Sequence, residues 1–237
     1  MLKRTSLLLL AGLLLIPAVA FADTADVARG LVKTYANASV QLEGTMKAHA
    51  EGEGSANVRV PDKAIAVRGV VVDASGLTVC SLAKLNPLAG GKSISVRGMT
   101  LTLKAQIEDL TITLPNGTKV PARVVLTNDE LGLAFIAPTT PLAADQKSSI
   151  TAVELSDAKA KILDEIIILA RASKSMDYAP MCTLTRITAV MTKPRLMYYA
   201  SAMSGSMVFS ADGKLLGIAI SKKITRAIDA SSGKANI

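Results

Sequence analysis

The stretch Met203-Ser204-Gly205-Ser206-Met207-Val208-Phe209-Ser210-Ala211-Asp212-Gly213-Lys214-Leu215-Leu216-Gly217-Ile218-Ala219-Ile220 decides the fold. Its small residues, Ser204 to Ser206, permit a tight backbone turn. An apolar run follows, then Ala211-Asp212-Gly213-Lys214, then a second apolar run. Asp-Gly between two apolar runs signals a β-hairpin, because the turn needs residues that tolerate a left-handed backbone. The stretch reads as a serine-bearing loop feeding a hairpin.

The same pattern recurs upstream. Val70-Val71-Val72 leads into Asp73-Ala74-Ser75-Gly76 and out through Leu77-Thr78-Val79-Cys80. Ile112 and Leu114 alternate before Pro115-Asn116-Gly117-Thr118, and Val120, Ala122 and Val124 alternate after it. Three such hairpins predict an all-β chain. A helix is expected only near the start, where residues 24–36 place Val27, Leu31, Val32 and Tyr35 on one face behind Thr24 as N-cap. Ser39 to Leu42 reads as a first strand. Residues 50–57, with two glycines and no periodicity, read as a loop with His49 at its edge. Pro138 to Pro141 marks a crossing, which puts a boundary between two halves near residues 138–150. Ile162 to Leu169 fits a buried strand, although a buried helix shares its pattern. Residues 171–180 read as a loop, and Met181 to Met191 as a strand. Lys193-Pro194-Arg195 then interrupts, and Leu196 to Tyr199 leads into the serine loop.

Composition narrows the class. Of 237 residues, 50% are hydrophobic but only 3% aromatic, with no Trp, so the core must be aliphatic. Lys3-Arg4, the apolar run Leu7 to Ile16 and Ala20-Phe21-Ala22 form the three regions of a secretory signal peptide. The apolar run is shorter than the ~20 residues a spanning helix needs. Residues 1–22 are therefore expected to be removed, leaving an exported protein, periplasmic or secreted, with no membrane span. Their removal takes away Lys3 and Arg4 and no acid, leaving 25 of the 27 basic residues against 19 acidic ones. These cations are scattered and few aromatics accompany them, which argues against nucleic acid as a partner. Cys80 and Cys182 could pair in an oxidising compartment, constraining the unfolded chain by roughly 4–5 kcal/mol, or could remain buried thiols. One histidine and two distant cysteines give no metal-ligand cluster, and no cofactor motif is present. Gly90-Gly91 lacks the strand-then-helix setting of a nucleotide site.

Four segments, in order, resemble the trypsin-like serine peptidases of the HtrA type. Gly69 to Val79 is similar to the family's Gly-Val-Val-Ile-Asp-x-x-Gly-x-Ile-Leu. Ile112 to Val125 is similar to the strand-turn-strand before the catalytic acid, and Asp164 to Leu169 to the strand after the crossing. The serine stretch resembles the nucleophile segment. The resemblance implies two packed antiparallel β-barrels of the six-stranded type with a short N-terminal helix. The N-terminal barrel would span about residues 38–140 and the C-terminal one about 150–225, followed by a polar tail to residue 237.

The resemblance also locates the chemistry, and the chemistry is altered. Ser204 stands at the nucleophile position. The family's Thr-x-x-His corresponds to Cys80-Ser81-Leu82-Ala83, so Ala83 holds the base position. The family's Asp-Leu-Ala corresponds to Gly132-Leu133-Ala134, so Gly132 holds the acid position. Ala202 and Met207 replace the glycine and proline that flank the nucleophile. A serine hydroxyl is a weak nucleophile without a base to take its proton. The expectation is a pseudo-peptidase that binds protein or peptide. The alternative is a hydrolase using Ser204 with an unusual base such as Lys84, with Asp129 the nearest acid to the lost position.

Overall fold

A computed structural model describes residues 23–52, 60–96 and 99–221. The expected signal peptide (residues 1–22), most of the expected glycine-bearing loop and the expected C-terminal tail lie outside the described residues. The chain opens with helix α1 (Thr24–Tyr35), capped by Asp23, whose carboxylate accepts from the Ala25 amide at 3.2 Å. Asp23 rather than Thr24 is the cap. Thr24 already lies in the helix, and its hydroxyl donates to Glu165 Oε2 at 2.6 Å.

The first half is a closed antiparallel barrel. Its strands are β1 (Ser39–Glu51), β2 (Lys63–Val71), β3 (Thr78–Ser81), β4 (Lys92–Val96), β5 (Met99–Thr113), β6 (Lys119–Asn128) and β7 (Leu133–Pro138). The order β1-β2-β3-β7-β6-β5 closes through β1 against β5, and β4 adds to β5 outside the ring. The expected turns are in place. Asp73 accepts from the Ser75 amide at 2.8 Å, and Asn116 from the Thr118 amide at 3.0 Å, the local bonds that favour Asp and Asn at turns. Val40, Leu42, Val71, Cys80, Ile112 and Ile136 fill the ring. β1 runs past the expected Leu42 because β5 gives it partners through Glu51, so His49 is a strand residue opposite Lys104.

Between Cys80 and the β4 strand lies the one-turn helix α2 (Leu82–Leu85), and the crossing carries α3 (Ala144–Ser148). The second half comprises β8 (Glu165–Arg171), β9 (Pro180–Arg186), β10 (Ala189–Met191), β11 (Met197–Tyr199), β12 (Met207–Ser210) and β13 (Leu215–Ile218). They form a four-stranded sheet, β13-β12-β8-β9, and a separate ribbon, β10-β11. Closure of this half into a ring is not among the pairings of the described residues. Ile166 to Leu169 are almost wholly buried in β8, but Ile162 and Leu163 lie 58% and 66% exposed in a turn where Asp164 accepts from the Lys161 amide. The buried strand therefore starts later than its apolar run.

The halves meet along a continuous apolar seam. Val70 of β2 joins Ile167, Leu169, Met207 and Phe209 of the second sheet beneath Ala28 and Leu31 of α1. Tyr35 stacks on Phe209 with ring centroids 5.5 Å apart. Both cysteines are free. Cys80 faces the barrel core, where burial pushes its thiol up to about 12, whereas Cys182 is exposed on β9, contrary to the reading of both as buried.

Candidate functional site at the serine loop

The serine loop is held by its backbone. Gly205 has φ +81°, and a Cβ there would stand 2.4 Å from the Arg68 carbonyl oxygen of β2, so only glycine fits. Its amide donates to the Ala219 carbonyl at 2.8 Å, and the Ala219 amide returns a bond to Ser206 at 2.8 Å. The fully buried Ser206 donates its hydroxyl to the Met203 carbonyl at 2.7 Å, closing the loop on itself. The small residues of the opening stretch thus let the loop press against the barrel.

The positions singled out in the sequence come together around Ile220 and Ser221. The Ser221 amide donates to Ser204 Oγ at 3.2 Å, and the Ser221 carbonyl accepts from Ser81 Oγ at 3.3 Å. A Cβ on Gly132 would lie 3.6 Å from the Ile220 side chain. The Gly132 carbonyl accepts from the Leu82 amide at 2.9 Å, immediately before Ala83. One short segment therefore connects the serine loop, the start of α2 and the start of β7. Ser81 and Ser221 were not singled out in the sequence. A serine next to an apolar run carries no signal of its own, and only the fold shows that both meet the loop.

The titratable groups lie elsewhere. His49 is exposed on β1 and contacts Glu51 at 3.3 Å. Asp129 is exposed at the start of the β6–β7 turn. That turn is set by Asn128, whose side chain accepts from the Leu131 amide at 2.8 Å, and by Gly132 at φ +70°, which brings the backbone back into β7. Lys84 is exposed on α2, without a hydrogen bond or ion pair to a described residue. Ser204 Oγ accepts one backbone amide and touches no described base. Among the described residues no group of three His, Cys, Asp or Glu side chains is placed to hold a metal ion. None of their helices is long and apolar enough to cross a membrane.

A six-stranded barrel, joined by a crossing to a second sheet that presents a glycine-bound serine loop against it, defines a trypsin-like peptidase architecture. Residues 67–218 match the trypsin-like peptidase domain family, and the chain belongs to it. No curated protein matches the chain. Among solved structures, the HtrA-type protease AlgW, a serine-to-alanine variant with a tripeptide, is 15% identical with a TM-score of 0.50. It is matched over 81% of this chain and 53% of its own. The serine endoprotease from Yersinia pestis is also 15% identical, with a TM-score of 0.49, over 81% of this chain and 56% of its own. The chain thus spans about half the length of these proteins.

Proposed function

We propose that this is an exported trypsin-like domain, periplasmic or secreted, that has lost peptidase chemistry and acts by binding protein or peptide. The observation that supports this most is the environment of Ser204. Its hydroxyl oxygen accepts the Ser221 amide, while the only histidine of the sequence sits on β1 against Glu51. Ala83 and Gly132, at the family's base and acid positions, offer no group that could take or steer a proton. Loss of a triad base costs about 10⁶ in kcat where it has been measured, so turnover at Ser204 should be negligible. Binding needs none of that machinery, because an extended peptide can add main-chain hydrogen bonds to an exposed strand.

A second reading keeps catalysis, with Lys84 as base. It is favoured by one observation: Lys84 follows Ala83 and has no ion-pair partner among the described residues. A lysine serves as a base only when it is desolvated, so this reading needs the exposed Lys84 to move and lose water. Exposure to a serine-directed fluorophosphonate separates the two. The non-catalytic reading expects no labelling of folded protein. Labelling that vanishes in both Ser204→Ala and Lys84→Met would replace it with the hydrolase.

A further inference from the structure

A small cavity lies between the barrel and the loop that joins β8 to β9, and none of the residues around Ser204 lines it. It holds about 240 Å³, below the roughly 300–1,000 Å³ of pockets for drug-sized ligands, so its occupant must be small. Its floor is Gln41 of β1 and Thr113 of β5, which stand opposite each other in the ladder. Strand alternation sets their direction: Val40, Leu42 and Ile112 fill the barrel, so Gln41 and Thr113 face outward to the second half. The β5–β6 turn forms one wall, and the second half supplies Arg171, Asp177 and Tyr178.

Several polar groups at this cavity lack the partner that their burial or charge calls for. Gln41 is only 9% exposed, yet its side-chain amide bonds to no described residue. Buried polar side chains in folded proteins are nearly always paired. The Thr113 hydroxyl is buried and unpaired as well. Arg171 gives hydrogens from Nε, Nη1 and Nη2 to three carbonyls and the Asn37 side chain, which leaves a second Nη1 hydrogen and a charge that no described carboxylate meets. The Asp177 carboxylate makes no hydrogen bond or ion pair with a described residue, Arg171 included. The neighbouring charges are engaged elsewhere: Arg68 donates to the Arg171 carbonyl, and Glu43 accepts from Lys119 and Tyr178.

The loop also holds Asp177 at the cavity against its backbone preference. Asp177 and Tyr178 both have φ +50°, a left-handed conformation that non-glycine residues seldom adopt twice in succession. Tyr178 is pinned there by its carbonyl on Arg171 and its hydroxyl on Glu43. Strain of this kind collects at ligand clamps.

We infer that this cavity binds a small zwitterion of the amino-acid class, with its carboxylate on Arg171 and the Gln41 amide and its ammonium on Asp177. A simple anion would leave Asp177 unmatched, and a simple cation would leave Arg171 unmatched. One molecule carrying both charges answers both, and the amide adds a neutral donor beside the guanidinium. The site stands whether or not Ser204 reacts.

The test titrates the isotope-labelled protein with glycine, alanine and serine and follows the side-chain amide resonances of Gln41, with propionate and ethylamine as probes that each lack one charge. At least one amino acid should shift the Gln41 signals saturably, and at least tenfold more tightly than propionate or ethylamine. Asp177→Asn keeps a residue suited to the left-handed backbone, and should weaken amino-acid binding at least tenfold while leaving propionate unchanged. Gln41→Leu, followed through the Gly117 amide, should abolish saturable binding without lowering the denaturation midpoint, because it removes an unpaired amide from a buried position. Should that variant fail to fold, Asp177→Asn carries the test alone. Gln41 signals in the folded protein that respond to none of the amino acids would mean that only ordered water occupies the cavity, and would overturn the inference. Propionate binding as tightly as the amino acids, or amino-acid binding unchanged in Asp177→Asn, would overturn it equally.

Discussion

The two halves of the molecule carry their stability in different places. In the first, six strands close on one another, and the core residues Leu42, Ile112 and Ile136 are enclosed by their own sheet. In the second, the described strands β13-β12-β8-β9 pair without closing on one another, and their inner face is covered by α1 and by Val70 of the barrel. The barrel therefore holds its core internally, whereas the second sheet, which presents the serine loop, depends on what is packed against it. A site at the junction inherits that dependence: Ser204 is positioned by the contact of Gly205 on β2 and by Ser221, rather than by its own sheet alone.

Phe209 offers the strongest way to break this contrast. It is 1% exposed, stacks on Tyr35 and joins α1, β8 and β12 into one cluster. Phe209→Ala should cost about 4 kcal/mol, as large-to-small changes at buried aromatics do. Amide exchange should then rise in α1 and the second sheet while the barrel stays protected. Uniform exchange through both halves would show that they unfold as one unit.

Gly205→Ala tests the contact between the halves at the loop itself. The added methyl meets a backbone oxygen at 2.4 Å in a left-handed conformation, and neither can yield cheaply. A loss of about 3 kcal/mol in denaturant unfolding is expected. A loss below about 1 kcal/mol would mean that the loop is free to lift from β2.

Arg171 sharpens the comparison from the other side of the seam. Its guanidinium donates to the carbonyls of Ser39, Tyr178 and Ala36 at 3.1, 2.9 and 2.9 Å, and its own carbonyl accepts from Arg68 at 2.6 Å. Burial lowers its pKa from the usual arginine range, so the charge is held by carbonyl dipoles without a carboxylate. Lysine cannot span three acceptors from one planar fork. Arg171→Lys should cost about 2 kcal/mol, read as a shift in the denaturation midpoint.

Much of this was legible from residue spacing, and the reasons for the exceptions are physical. Turns that combine Asp or Asn with Gly located all three hairpins because local hydrogen bonds fix them. Ile162 to Leu169 gave the buried β8 strand but not its start, since an apolar run does not mark where a turn ends. The extent of β1 could not be read from residues 43–51, because their pairing depends on β5, some sixty residues away. Motif order singled out Ser204, Ala83 and Gly132 for comparison. Their connection through Ile220 and Ser221 was not legible in it, because a contact between Ser81 and Ser221 spans 140 residues and leaves no periodic trace.

The smallest effect is electrostatic and tests whether the halves are also joined at the surface. Glu43 of β1 accepts from Lys119 of β6 at 2.7 Å and from the Tyr178 hydroxyl of the second half at 3.2 Å. The Lys119 hydrogen bond is the main cause that holds the Glu43 carboxyl below its usual range, with Tyr178 adding to it. A carboxyl with a lowered folded pKa binds fewer protons folded than unfolded. Its contribution is therefore complete above the unfolded value near 4.5 and fades as pH falls through the folded one. Because the pair is largely solvated, that contribution should be about 0.5 kcal/mol. Glu43→Gln should lower stability by this amount at pH 7 and by nothing measurable at pH 2, in denaturant titrations at matched ionic strength. Tyr178→Phe should reproduce part of the pH 7 loss only if the bond between the halves persists in solution. If Tyr178→Phe is neutral while Lys119→Met matches Glu43→Gln, the carboxylate serves the barrel alone, and the halves are joined only by their buried seam.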